Sequence, residues 1–228
     1  MKNELASVII VAKNSEAYLA SAIKSALEQE YKPFEIIVVD GRSTDRTAEI
    51  AQSTEGVRYF MQRDQGLANA RNFAIRAAAG RFIAFLDSDD VWARGKLQTQ
   101  MKYLAANPDC EATVTWLRYI SEPDHVLRHH PRQRPYDPIG YTPSALVARR
   151  GLFEKVGLFD PLLSVGCDAD WFARLFDSRL PFAVVPEFLL NKRIHQTNLS
   201  RDIAQSRKET LVLLQNSISR KRKMAGKL

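Results

Sequence analysis

The stretch Arg81-Phe-Ile-Ala-Phe-Leu-Asp-Ser-Asp-Asp90 limits what this chain can fold into more than any other. Residues 82–86 are apolar without a polar break, the pattern of a strand buried on both faces. The run stops abruptly at Asp87, Ser88, Asp89 and Asp90. Three carboxylates in four residues repel one another and resist burial unless paired, so positive charge is expected at the end of this strand. A hard divalent cation, Mg2+ or Mn2+, suits carboxylate oxygens best and keeps positions open for phosphate. A solvated acidic turn would explain the same residues, and the flanking sequence has to decide.

Two more buried strands precede it, Ser7-Val-Ile-Ile-Val11 and Phe34-Glu-Ile-Ile-Val-Val39. The first ends at Ala12-Lys-Asn-Ser15, where Asn14 or Ser15 can cap a helix with Leu19, Ala22, Ile23, Ala26 and Leu27 at helical spacing. The second ends in Asp40-Gly-Arg-Ser-Thr-Asp45, where Ser43 or Thr44 caps a helix reaching Gln52. A short strand over 58–61 follows, then a helix opened by Gly66, running to Ala79 and stopped by Gly80. This alternation predicts an α/β fold, with a Rossmann-like, mainly parallel central sheet flanked by helices. Ligands of such sheets bind beyond the carboxyl ends of the strands. Here those ends carry Asn14, Asp40 and the acidic run 87–90. No G-x-G-x-x-G follows any strand and no G-x-x-x-x-G-K is present, which disfavours dinucleotide and P-loop sites.

Ser7-Val-Ile-Ile with Asn14, Asp40-Gly-Arg-Ser-Thr-Asp45, Gly66-Leu-Ala-Asn-Ala-Arg-Asn72 and Phe85-Leu-Asp-Ser-Asp-Asp90 resemble the family 2 glycosyltransferases of GT-A fold. Val156-Gly-Leu-Phe-Asp160, Cys167-Asp-Ala-Asp-Trp-Phe-Ala-Arg174 and Arg193-Ile-His195 are similar to the second half of that family, in the same order. The resemblance implies a metal-dependent, inverting transfer of a sugar from a nucleotide-sugar donor, with UDP expected, to a hydroxyl acceptor on a glycan or a lipid. It implies Asp89, Asp87 and His195 at the metal, and Asn14, Asp40, Gly66, Arg71, Asp87 and Ser88 at the donor. Asp168 is then the general base. Asp170, two residues on, points about 200° round the same helix and is its competitor. The chain departs from the family pattern at Val11 and Lys13, at Asp40-Gly41, and at Cys167, where a Glu is usual.

The second half reads as a helix over 97–107, a strand over 112–119, a short strand and helix over 146–156, a helix over 168–178 and a strand over 182–185 ended by Pro186. Residues 121–143, rich in Pro, Arg and His, are expected to form an acceptor-side loop or lid. His125, His129 and His130, with Glu122 and Asp124, lack the spacing of a metal site because Pro123 and Pro131 break the segment. Residues 1–200 make one domain, a nucleotide-sugar half to about residue 110 and an acceptor half after it; 201–228 add a helix and a basic tail. The net charge of +7 falls to 7 − 5 = 2 once Arg220, Lys221, Arg222, Lys223 and Lys227 are set aside. Such a tail is expected to be solvated, or to make a peripheral contact with an anionic membrane. Nucleic acid is not expected as a partner, since no aromatics interleave with the basic run. Two cysteines without ligand spacing and no run of membrane-spanning length point to a cytoplasmic protein, soluble or peripheral. Two other classes remain open: a sugar-phosphate nucleotidyltransferase, which would carry a Gly-rich basic loop after the first strand, and a non-catalytic binder of nucleotide sugar or nucleic acid.

Overall fold

The computed structural model describes residues 4–121, 125–126, 138–196, 198 and 203–225. The first half alternates β1 (Ala6–Ala12), α1 (Leu19–Leu27), β2 (Phe34–Asp40), α2 (Thr47–Ser53), β3 (Val57–Met61), α3 (Leu67–Ala77) and β4 (Phe82–Asp87). The second half adds β5 (Val91–Trp92), α4 (Lys96–Ala106), β6 (Ala112–Ser121), β7 (His125–Val126), β8 (Val147–Arg149), α5 (Leu152–Lys155), α6 (Cys167–Ser178), β9 (Phe182–Arg193) and α7 (Ile203–Ala225). One sheet runs β3-β2-β1-β4-β8-β6-β9-β5, with β7 on β6. The first four strands are mutually parallel, and β6 and β9 run the same way; β5, β7 and β8 oppose them.

The unbroken apolar runs are explained by position. β1 lies between β2 and β4, so both its edges are paired, and its two faces are covered by separate apolar layers. Val8, Ile10, Val38 and Leu86 pack with Leu19, Ile23, Leu97 and Leu104 from α1 and α4. Ile9, Val39, Ile83 and Phe85 pack on the opposite face with Ala70, Ala74, Phe159 and Trp171. Trp171, Phe172 and Leu175 are buried and pin α6 to that face. Each such side chain contributes roughly 1.5–3 kcal/mol by its removal from water.

Several boundaries differ from expectation. Neither Asn14 nor Ser15 caps α1, whose first residue follows Tyr18; it is the Ser15 carbonyl that receives the Leu19 amide at 2.9 Å. Ser43 and Thr44 do not cap α2 either, and the Thr47 amide is taken by Asp45 Oδ1 at 3.0 Å. Pro186 does not end β9, which runs on to Arg193. The ladder to β6 shifts register there, pairing Thr115 with Val185 and Trp116 with Phe188, so the proline sits in a bulge that asks no donor of it. The two-residue strand β5 has no periodic signature, and only its pairing with β9 makes it a strand. It follows β4 after a tight turn in which the Asp90 amide donates to the Asp87 carbonyl at 3.0 Å.

The C-terminal helix packs one face on the domain, while Lys221 and Arg222 of its basic end are exposed. Glu209, Leu213, Ser217 and Arg220 of α7 face α6, and Arg220 Nε lies 2.9 Å from Asp177 Oδ2. Residues 122–124, 127–137 and 226–228 lie outside the described residues, and with them Glu122, Asp124, His129, His130 and Lys227. No described helix is long and apolar enough to cross a membrane.

Gly80 lies past the end of α3 and is there for space: a Cβ at this position would sit 2.6 Å from Ser7 Oγ and 2.7 Å from the Ser7 amide nitrogen. Gly80→Ala is therefore expected to lower the free energy of unfolding by about 3 kcal/mol, because β1 has to move. Gly151→Ala, with φ −62° and open space around it, should shift stability by under about 0.5 kcal/mol. Urea unfolding of both variants checks this; equal effects would remove the close approach as the reason for Gly80.

Candidate active site

The parallel register brings the strand ends together, Ala12 beside Asp40 and Val11 beside Asp87. The loops that follow are tied to each other. Asn14, in the left-handed region at φ 48°, accepts the Thr44 amide on Oδ1 at 2.9 Å and gives its own amide to Ser43 Oγ at 2.8 Å. Ser15 Oγ and Ser88 Oγ lie 2.8 Å apart, which joins the loop after β1 to the one after β4. Gly66, at φ 101°, opens α3 in a conformation that side-chain-bearing residues rarely adopt, and nothing lies within 4 Å of where its Cβ would be.

Asp40 departs from expectation. Its carboxylate is not free for a ligand: the residue is 1% exposed, Oδ1 accepts the Ser43 amide at 3.0 Å and the Ser43 hydroxyl at 2.5 Å, and Oδ2 accepts the Tyr59 hydroxyl at 3.0 Å. Burial and then this carboxylate push the Tyr59 phenol up to about 12, so the hydroxyl stays a donor. Asp40 shapes the loop 40–45 from beneath.

The positive charge called for by the acidic turn comes from the chain itself. Arg71, buried on α3, reaches Asp87 Oδ1 through Nη2 at 3.0 Å and Asp168 Oδ1 through Nη1. Lys192, near the end of β9, places Nζ 3.6 Å from Asp87 Oδ2 and 3.5 Å from Asp90 Oδ2. Burial opposes the charge on both cations, yet Asp168 and Asp87 hold Arg71 protonated, and Asp90 and Asp87 raise Lys192. Burial also pushes against the charge on Asp87, and Lys192 and Arg71 more than offset it, leaving that carboxyl below the usual range. Asp90 is different. Burial pushes its carboxyl up to about 7 against the pull of Lys192, and its Oδ1 accepts the Arg193 amide at 3.0 Å.

Asp89 turns away from this group. Its Oδ2 lies 2.9 Å from His195 Nε2 and accepts Asn198 Nδ2 at 3.0 Å, and the His195 ring stacks on Tyr18 with centroids 4.5 Å apart. The expected ligand set of Asp87, Asp89 and His195 is thus not gathered in one place, because Asp87 is drawn to Arg71 and Lys192. Among the described residues no group of three or more His, Cys, Asp or Glu is arranged to hold a metal ion. Asp89 and His195 offer one oxygen and one nitrogen, which fits an ion that takes its other ligands from phosphate and water.

Asp168 and Asp170 separate as the helical turn predicts. Asp170 is buried, 2.7 Å from Arg174 Nε and 3.7 Å from Arg220 Nη1. Asp168 is part-exposed against Arg71, and burial raises its carboxyl despite that arginine. Cys167, buried beside it, sends its Sγ 3.4 Å from Asp168 Oδ1, and burial and then Asp168 push the thiol up to about 12. Lys192, Tyr18 and Asn198 were not anticipated as members of this group. For Lys192 a signal existed, since it stands directly before Arg193-Ile-His195. Nothing local marks Tyr18, which only the fold brings to His195.

Arg71→Met would leave Asp87 and Asp168 without the cation between them. It is expected to lower the free energy of unfolding by about 3–5 kcal/mol, as for other buried pairs broken on one side. Chemical denaturation checks this, and a loss under 1 kcal/mol would show that Lys192 alone suffices.

Comparison with known proteins agrees with this architecture. The family described as Glycosyl transferase family 2 matches residues 7–157. The chain is 37% identical over 127 residues to the UDP-Glc:alpha-D-GlcNAc-diphosphoundecaprenol beta-1,3-glucosyltransferase WfaP of Escherichia coli, covering 54% of this chain and 49% of that one. It spans only 17% of the length of an uncharacterized glycosyltransferase of Rickettsia conorii that it matches at 41% identity over 104 residues. Among solved structures, the mannosyltransferase PcManGT of Pyrobaculum calidifontis, in complex with GDP-Man and Mn2+, superposes with a TM-score of 0.72 at 19% identity, over 94% of this chain and 64% of that one. TarS 1-349 of S. aureus in complex with UDP-GlcNAc superposes with a TM-score of 0.70 at 20% identity, over 85% and 59%. These two likenesses establish the GT-A fold. With more than half of its length matched by the family, the chain belongs to glycosyl transferase family 2.

Proposed function

We propose that this chain catalyses an inverting glycosyl transfer from a nucleoside-diphosphate sugar, with UDP as the expected nucleotide, to a hydroxyl of a glycan or lipid-linked acceptor. One observation carries the proposal: Arg71 ties Asp168, the part-exposed carboxylate of α6, to Asp87 at the end of β4. Asp168 accepts the proton of the acceptor hydroxyl. The acceptor oxygen then attacks the anomeric carbon from the face opposite the diphosphate, whose oxygen leaves with the bonding electron pair, and the configuration inverts. A carboxyl raised by burial is suited to this task, and a positioned general base contributes about 10²–10⁴-fold.

The donor is held by the frame after β1, β2 and β4. Asn14, Gly66 and Ser88 face the nucleotide, while Asp40 acts through the loop it braces and Arg71 and Asp87 through Asp168. Asp89 and His195 hold Mg2+ or Mn2+, which supplies Lewis-acid stabilisation of the leaving diphosphate when bound. The donor complexes of TarS and PcManGT, the second with Mn2+, support a nucleotide-sugar donor and a divalent ion. The name of WfaP supports a lipid-linked acceptor. A nucleotidyltransferase is disfavoured, since Val11-Ala-Lys-Asn14 lacks a Gly-rich basic loop.

A lipid acceptor gives α7 a second use. Leu211, Leu214 and Ile218 are exposed at 64%, 56% and 51%, with Lys208, Lys221 and Arg222 exposed on the same helix. Glu209, the one acidic residue of that helix, is turned inward. An apolar stripe flanked by cations suits the surface of an anionic bilayer. The full chain should co-sediment with vesicles containing phosphatidylglycerol and not with phosphatidylcholine alone, and Leu214→Glu with Ile218→Glu should weaken this about tenfold or more. Unchanged sedimentation of that variant, or dimerisation through this face, would overturn the membrane contact.

The enzymatic reading is tested by incubating the chain with UDP-glucose, UDP-GlcNAc or GDP-mannose plus Mn2+ and measuring released nucleoside diphosphate. Asp168→Asn should lower kcat about 10²–10⁴-fold and leave calorimetric binding of UDP nearly unchanged. Asp89→Asn should abolish the response of turnover to added Mn2+. Wild-type kcat in Asp168→Asn would refute the assignment of the base.

A further inference from the structure

We infer that Glu209, on the C-terminal helix, is a positioning residue for Asp168; the inference rests on Asp168 being the base proposed above. The helix α6 lacks a side-chain cap of its own, its first residue following Gly166. Glu209, from more than 40 residues further along the chain, supplies the missing acceptors. Its Oε1 accepts the Ser164 amide at 2.9 Å, the Ser164 hydroxyl at 2.7 Å and Gln205 Nε2 at 2.6 Å. Its Oε2 accepts the amides of Val165 at 3.0 Å and Gly166 at 2.5 Å. Five donors therefore converge on one carboxylate that is 4% exposed.

The approach is close. A Cβ on Gly166 would stand 3.0 Å from Glu209 Oε2 and 3.3 Å from Glu209 Cβ, so a side chain there would press on Glu209 and shift it by a few tenths of an ångström. A carboxylate here is also favoured by the positive end of the α6 dipole. The same face of α7 holds the far end of α6. Asp177 takes Arg220 Nε at 2.9 Å and Ser217 Oγ at 3.1 Å, while Leu213 packs into the core between the two ends. So α7 lies along α6 as a splint with a polar anchor at each end.

Gly166 is two residues from Asp168, and the turn that Glu209 holds sets where the Asp168 carboxylate meets Arg71. Misplacement of a reacting group by about 1 Å can lower a rate 10²-fold. A purely stabilising contact would lower thermal stability and leave kcat per folded molecule alone. A positioning contact separates the two.

The test uses Glu209→Gln in the full chain, which keeps the side-chain shape and turns an NH2 toward amides that need an acceptor. Turnover is read as UDP released from UDP-glucose with Mn2+. The expected result is a kcat lowered about 10- to 100-fold with KM for UDP-glucose within about twofold, and no further loss when Glu209→Gln is added to Asp168→Asn. A second reading does not need activity: the rate of Cys167 alkylation by N-ethylmaleimide should rise about tenfold, with Cys110 unchanged, because the thiol lies next to Asp168 in the turn being released. Wild-type kcat in Glu209→Gln, a full additional loss in the double variant, or an unchanged Cys167 rate would each overturn the inference. Wild-type kcat in Asp168→Asn would instead bring down the proposed base, and this inference with it.

Discussion

The guanidinium of Arg71 is the interaction on which the rest of the structure depends. It lies buried between Asp87, at the end of the central strand β4, and Asp168, in the first turn of α6. The two carboxylates belong to different halves of the chain and are both part-exposed; without the arginine Asp168 would lose its ion-pair partner and Asp87 would keep only Lys192. The same contact therefore ties the end of β4 to the first turn of α6. Arginine suits the task because its planar fork reaches two acids at once and stays charged when buried, which lysine does less readily.

The parallel half was legible because its signals are local. Unbroken apolar runs ending in Asn14, Asp40 and Asp87 identify buried parallel strands and place three polar clusters on one edge. What sequence could not show was where each charge goes. Asp40 and Asp89 look alike at strand ends, yet one is consumed by Ser43 and Tyr59 and the other faces His195. Pro186 reads as a strand breaker, but a bulge needs no donor at that point and β9 passes through it. The role of α7 was hidden for a different reason: Glu209 binds backbone amides, and backbone partners leave no complementary residue to find in the sequence.

Charge accounting changes accordingly. Among the C-terminal cations, Arg220 and Lys221 pair with Asp177 of α6, so part of the positive excess is balanced inside the domain. On α7 the residues divide by direction. Glu209 and Arg220 hold α6, while Leu211, Leu214 and Ile218 face outward. A single helix thus has one face packed on the second half of the chain and the other turned outward.

The tight turn at Asp87 to Asp90 has a consequence for the shape of the sheet. In strand order β8, β6 and β9 lie between β4 and β5. Were the sheet flat, four steps of about 4.8 Å would separate the two strands by roughly 19 Å. The turn that joins them brings its first and fourth Cα atoms to within about 7 Å. Both can hold only if the sheet rolls until its last strand comes back beside its middle one. The acidic turn therefore ties the last strand of the sheet back to the end of its middle one.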